Sequence, residues 1–176
     1  MTRHPNAPEN PVLADWLDRV PLMPLGPGRP DSSLRKALAA IEDAQLAPGG
    51  VADRQMIAAC RSGLWLAFDF LDESHKLSQE IETPEGSYWH AIMHRREPDP
   101  SNSKYWWRRV GQHPVLRQLR EQAPALGYTF SSPDAFVDFC EEVRDGGSEK
   151  EQLARKVQLL EWRLLFEWCR QHGEKR

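Results

Sequence analysis

Residues Thr83–Pro114 read TPEGSYWHAIMHRREPDPSNSKYWWRRVGQHP, and this stretch sets the fold class. Thr83 is a capping residue type, and Pro84 suits the first helical position, where its missing N–H is not needed. The pattern predicts a helix from there to about Glu97, because Pro98 disfavours the α conformation of the residue before it. DPSNS then reads as a loop, Asn102 or Ser103 as the cap of a helix over Lys104–Val110, and Gly111 as its end. The stretch is helix, loop and helix, with no strand alternation.

The neighbouring segments follow the same grammar. Ala52 to about Ile81 reads as one long helix whose apolar residues (Met56, Ile57, Cys60, Leu64, Trp65, Phe68, Leu71) wrap a wide arc, as a central helix requires. Before it, Asp31-Ser-Ser-Leu starts a helix through LRKALAAIEDAQLA, stopped by Pro48-Gly49-Gly50. Residues 1–30 hold seven of the fourteen prolines, which predicts an arm lying over the core. A short helix at Pro11–Val20 interrupts it, with Trp16 as its anchor.

Beyond Gly111, Pro114 opens a helix through Glu121, and Ala123–Ser131 is irregular, with Tyr128-Thr-Phe a single extended piece. Ser131-Ser-Pro-Asp begins another helix, closed by Gly146-Gly147. Ser148 with Glu151 offers a capping box for the last helix, which runs to about His172. Leu153, Val157, Leu160, Leu164 and Trp168 form its core stripe. The reading is all-α: a single-domain helical bundle over residues 31–176 with a proline-rich N-terminal arm over 1–30.

Composition narrows the function. A formal charge of −3 on 176 residues gives no global attraction to nucleic acid or to an anionic membrane. The absence of a helix-turn-helix pattern argues against sequence-specific DNA binding. There is no apolar run long enough for a bilayer and no apolar stretch after a basic start in the first thirty residues, so neither a membrane span nor a secretory signal is expected. Cys60, Cys140 and Cys169 are odd in number and far apart, which suits buried thiols in a reducing cytoplasm rather than a disulfide framework. No Gly-rich phosphate loop, GxSxG elbow or zincin signature is present.

Chemistry concentrates in Ser87–Pro114, which contains three of the six histidines and three of the seven tryptophans. On a helix, His90, His94 and Glu97 fall within an arc of about 60°. His75, three residues after Asp72, continues the apolar line Leu64, Phe68, Leu71 and should point inward. A short connection joins the two helices, so they should pack as an αα-hairpin. The expected constellation is His75, His90, His94 and Glu97 as ligands of one divalent transition metal, with Asp72, Glu73 or His75 in acid–base roles. The bland alternative is that the histidines are core residues hydrogen-bonded to neighbouring carboxylates.

A second pattern overlaps the first. Between Tyr88 and Arg120 there are seven Lys/Arg and two carboxylates, a local surplus of five positive charges interleaved with Tyr105, Trp106 and Trp107. Arg95, Arg96, Lys104, Trp107, Arg108 and Arg109 are therefore candidates for clamping a small anionic ligand. The alternative is a non-catalytic binding module whose basic, tryptophan-rich face docks an acidic protein partner or a nucleotide. At YWHAIMHRREPDPSNSKYWWRRVGQHP, and more broadly over Leu64–Pro114, the chain resembles small bacterial proteins to which no activity is assigned. That resemblance implies no function, cofactor or catalytic residue.

Overall fold

The computed structural model describes residues 10–175. Ten α-helices make up this region: α1 Pro11–Asp18, α2 Arg35–Ala39, α3 Asp43–Leu46, α4 Arg54–Ala67, α5 Leu71–Ser78, α6 Pro84–Arg96, α7 Pro100–Val110, α8 Pro114–Gln122, α9 Pro133–Val143 and α10 Glu149–Gly173. Two 3₁₀ turns, Ser32–Leu34 and Ala123–Leu126, complete the set. The fold is an all-α bundle with no strand among the described residues; the nearest thing is an isolated bridge between Val51 and Glu174. No described helix is long and apolar enough to cross a membrane.

The central element is α6, not the stretch after Ala52. Every residue of α6 from Glu85 to Arg96 is buried, including two histidines and two arginines. It is packed between α5, α7 and α4, and α10 runs alongside α4, α8 and α9. Gly63 and Gly86 permit this density. A Cβ on Gly63 would sit 2.7 Å from the Trp89 ring, and one on Gly86 would sit 2.3 Å from the Ile81 carbonyl oxygen. Trp162 seals the α4–α10 contact by donating its indole N–H to the Gly63 carbonyl at 2.7 Å.

The long helix expected over 52–81 is broken. It ends at Ala67, Asp69 adopts φ of 67°, and α5 restarts at Leu71. A left-handed aspartate carries a modest backbone cost. Here its carboxylate is held by the Arg96 guanidinium and by the backbone N–H of Arg29 at 3.1 Å. The helix expected after Asp31 is likewise divided into a 3₁₀ turn, α2 and α3. Asp31 does cap, accepting from Ser33 N–H at 2.9 Å.

Smaller differences occur at the caps. Thr83 precedes α6 but makes no capping bond. DPSNS is the first turn of α7 rather than a loop, with Asp99 accepting from Asn102 N–H at 3.1 Å. At α10, Ser148 caps Glu151 N–H, while the Glu151 carboxylate takes the N–H of Gly147, one residue before the box predicts.

Residues 1–9 of the expected arm lie outside the described residues. From Val20 to Pro30 the chain is not helical, yet Met23 and Leu25 are fully buried. Backbone carbonyls in such a segment need donors from elsewhere. They receive them from side chains: Arg155 to Leu22 and Met23, Gln158 to Pro24, Arg144 to Leu25, and Arg96 to Gly26 and Pro27. Trp16 packs edge-on against Phe68 with ring centroids 5.2 Å apart.

Candidate metal centre

Three histidines from two consecutive helices converge. One ring nitrogen from each of His75 on α5 and His90 and His94 on α6 lies within 4.8 Å of the others. The ring centroids are 4.6 Å apart for His75–His90, 4.7 Å for His90–His94 and 5.3 Å for His75–His94. The i,i+4 spacing stacks His90 and His94 on one face of α6, and the turn at 79–83 brings α5 back across that face. His90 and His94 are buried, and His75 is half-buried.

The hydrogen-bond network assigns the tautomers. The Ser78 hydroxyl carries one hydrogen, which it donates to the His75 carbonyl at 3.2 Å. With the hydroxyl hydrogen on that carbonyl, its contact of 3.0 Å with Nδ1 of His90 is an N–H donated to Ser78 Oγ. That leaves Nε2 of His90 with a bare lone pair. His94 repeats the arrangement. Nδ1 lies 3.1 Å from the Glu97 carboxylate, which only accepts, so Nδ1 carries the hydrogen and Nε2 is the lone pair. Asn102 Nδ2 approaches that Nε2 at 3.1 Å. The His75 ring has no hydrogen-bond partner among the described residues.

Electrostatics disfavour protonation of the two buried rings. Burial, and then the positive charge that His94 and His75 would carry, pushes the His90 pKa down to about 3. Burial also lowers that of His94, opposed by the carboxylate of Glu97. Two imidazoles that resist protons, grouped with a third so that one ring nitrogen of each lies within 4.8 Å of the others, could hold a metal ion.

The Trp106 ring covers the site from α7, 4.0 Å from the His90 ring at an interplanar angle of 37°. The Arg109 guanidinium lies over Trp106 at 5.2 Å. An open groove of about 470 Å³ adjoins the cluster, lined by Asp69, Asp72, Glu73, Glu97, Asp99 and Arg35 among others.

The remaining expected site residues are placed differently. Glu97 lies outside the group of three histidines, with its carboxylate 3.1 Å from Nδ1 of His94. Asp72 is exposed on the groove, and Glu73 is held in an ion pair by Arg35, so neither carboxylate enters the histidine cluster. Arg95 and Arg96 are fully buried and unavailable as an anion clamp. Arg95 donates to Glu161 at 2.6 Å, and Arg96 is held by Asp69 and by the Leu66 carbonyl at 2.6 Å. A guanidinium in the interior needs partners of this kind.

Trp107 is a core residue, packed edge-on against Tyr88. Lys104 reaches Asp138 at 2.6 Å, while Arg108 and Arg109 remain on the surface. Ser78, Asn102 and Trp106 complete the site, and the sequence singled out none of them as part of it. Ser78 lies three residues from His75 on the same helix, a spacing that marks a shared face. No comparable signal links Asn102 or Trp106 to the histidines. Comparison of the chain with protein-family models, curated proteins and solved structures yields no match in any of the three.

Proposed function

We propose that His75, His90 and His94 bind one divalent transition metal, with a small anionic ligand or water as the fourth donor. The tautomer assignment carries this reading. In both buried histidines Nδ1–H is tied to an oxygen acceptor and Nε2 is left as the donor, the arrangement found around metal-bound imidazoles. A tetrahedral ion with metal–nitrogen bonds of about 2.0–2.1 Å needs nitrogens about 3.4 Å apart. The observed set lies within 4.8 Å, so modest side-chain rotation closes it. Asn102 gives up its contact with His94 in that rotation.

Three nitrogens leave one position of a tetrahedral ion open. There the ion itself supplies the positive charge for an oxyanion, a role the buried Arg95 and Arg96 cannot fill. A bound water is the other occupant, with its pKa lowered toward neutrality. Pure acid–base chemistry is the weaker reading, because a histidine with a pKa near 3 carries no exchangeable charge at neutral pH. The docking-module alternative has Trp107 in the core and Trp106 committed to His90, which leaves Tyr105 as the one well-exposed aromatic of that face.

Elemental analysis of protein purified without a histidine tag tests the proposal. The expected result is near-stoichiometric zinc, iron, manganese or nickel that is lost in a His90→Ala/His94→Ala double variant. Metal retained by that variant, or no metal uptake by the intact protein after dialysis against each ion, sinks it.

A further inference from the structure

A second concave surface lies apart from the histidines, where the C-terminal end of α7, the length of α8 and the start of α9 meet. It encloses about 680 Å³ and is lined by Trp107, Arg108, Gln112, His113, Arg117 and Arg120, with Ser132–Asp134 as the facing edge. None of the metal-site residues reaches it. Three guanidinium groups face one carboxylate, that of Asp134, in a chain whose net charge is −3.

Many arginines elsewhere among the described residues are spent on the fold. Arg61, Arg95, Arg96, Arg144 and Arg170 each pair with a carboxylate, and Arg155 holds two backbone carbonyls. Those of the groove are not. Arg117 has no ion pair or hydrogen bond among the described residues. Arg108 lies only loosely over Tyr105, at 5.9 Å, and Arg120 makes a single long contact of 3.4 Å with the Ser131 carbonyl. Arg117 and Arg120 are three apart on α8 and so share a face.

The wall behind them is fixed in advance. His113 caps α8 by accepting Val115 N–H at Nδ1, which makes Nε2–H the donor to the buried Glu85 carboxylate at 3.1 Å. Trp107 stands beside it in the core. A rigid wall carrying free guanidinium forks suits a multiply charged oxyanion, since each fork can grip two oxygens of one phosphoryl group. The volume is that of a small-molecule site, not of a protein interface.

We propose that this groove binds the phosphoryl group of a small molecule, with Arg108, Arg117 and Arg120 as its anchors. The site is independent of the metal proposal.

Titration calorimetry with inorganic pyrophosphate on the full chain, freed of metal with a chelator, tests it. The expected result is saturable 1:1 binding that weakens at least tenfold in Arg117→Gln/Arg120→Gln and again when salt is raised from 0.05 to 0.5 M. Both arginines are exposed, so the variant should melt like the parent. If it does not fold, Arg108→Gln alone carries the test, with the same expected direction. Arg163→Gln, at an exposed arginine that does not line the groove, should leave the affinity unchanged. Absent binding, equal binding by the arginine variants, or equal affinity for citrate, which would show charge attraction without phosphoryl recognition, overturns the proposal.

Discussion

His75→Ala discriminates between a metal centre and a merely structural histidine cluster. His90 and His94 are buried and hydrogen-bonded, so removing either disturbs the fold whatever the site does. His75 is half-buried and its ring makes no hydrogen bond, so its loss should cost the metal-free protein about 1 kcal/mol or less. Metal binding acts on a different scale. At a free ion concentration one hundred times Kd, the native state gains about 2.7 kcal/mol. For a chain of 176 residues that is a rise in melting temperature of roughly 5–11 °C.

Thermal melts followed by circular dichroism, with and without zinc and after chelator treatment, give the comparison. The parent should show that rise, His75→Ala should lose most of it, and His172→Ala, on the far end of α10, should keep it. Magnesium should do nothing, since it prefers oxygen ligands. A zinc response of equal size in the parent and in His75→Ala refutes the three-histidine geometry, whatever the double variant shows.

Acid should destabilise the metal-free protein in two windows. The folded-state pKa of His90 is held near 3 against an ordinary 6.5. The unfolded chain therefore binds more protons below about pH 6.5, and stability falls from there toward pH 3 by at most about 1.4 kcal/mol per pH unit. Glu85 is held down to about 2 against the opposing effect of its burial, chiefly by its hydrogen bond with His113, so its contribution is present above about 4.5 and lost as pH falls toward 2. Urea unfolding at pH 7.5, 5.5, 4 and 2.5 should show the first window flattened in His90→Gln, with the loss attributed to Glu85 at the lowest pH still present. Arg95→Met strands the Glu161 carboxylate at zero exposure, for an expected loss of about 3–5 kcal/mol. Arg95→Met/Glu161→Leu should recover part of this in the same assay. Gly63→Ala drives a methyl into Trp89 and should cost about 1–3 kcal/mol.

Periodicity was a good guide to where helices lie and a poor guide to which is central. The stops at Gly111 and Gly146-Gly147 were legible because local chemistry decides them, but the stripe expected on α10 is rotated: of Leu153, Val157, Leu160, Leu164 and Trp168 only Val157 is buried, and the inward face carries Ala154, Glu161, Trp162, Leu165 and Cys169. The break after Ala67 was not, because Phe68-Asp69-Phe70 contains no glycine or proline. What turns the chain there is a carboxylate meeting Arg96, twenty-seven residues away in sequence. The apolar line Leu64, Phe68, Leu71 runs across the break, which is why one continuous helix is the natural reading. The same blindness hid the central position of α6. A helix with arginines, histidines and a glutamate on every side looks like surface, since such residues are rarely buried without partners. Its partners, Glu161, Asp69 and Gln158, come from distant segments that no spacing rule connects to it.

The site divides along the same line. Spacing alone placed His90 and His94 on one face, and the short turn to α5 brought His75 against them, because these relations are set by helix geometry within about twenty residues. What spacing could not supply was the chemical state of each ring. The same i,i+3 step that suggested Glu97 as a ligand also puts its carboxylate within reach of Nδ1 of His94, and only the hydrogen-bond pattern separates the two roles. Once Glu97 takes Nδ1–H and Ser78 takes that of His90, Nε2 is the unprotonated nitrogen of both rings, that of His94 facing Asn102 at 3.1 Å. In the proposed site the carboxylate would strengthen the donor instead of competing for the ion. Glu97→Gln should accordingly weaken zinc binding by about 10–100-fold without abolishing it, whereas loss of a direct ligand should abolish it. A Glu97→Gln variant that binds no zinc at all would return Glu97 to the ligand set.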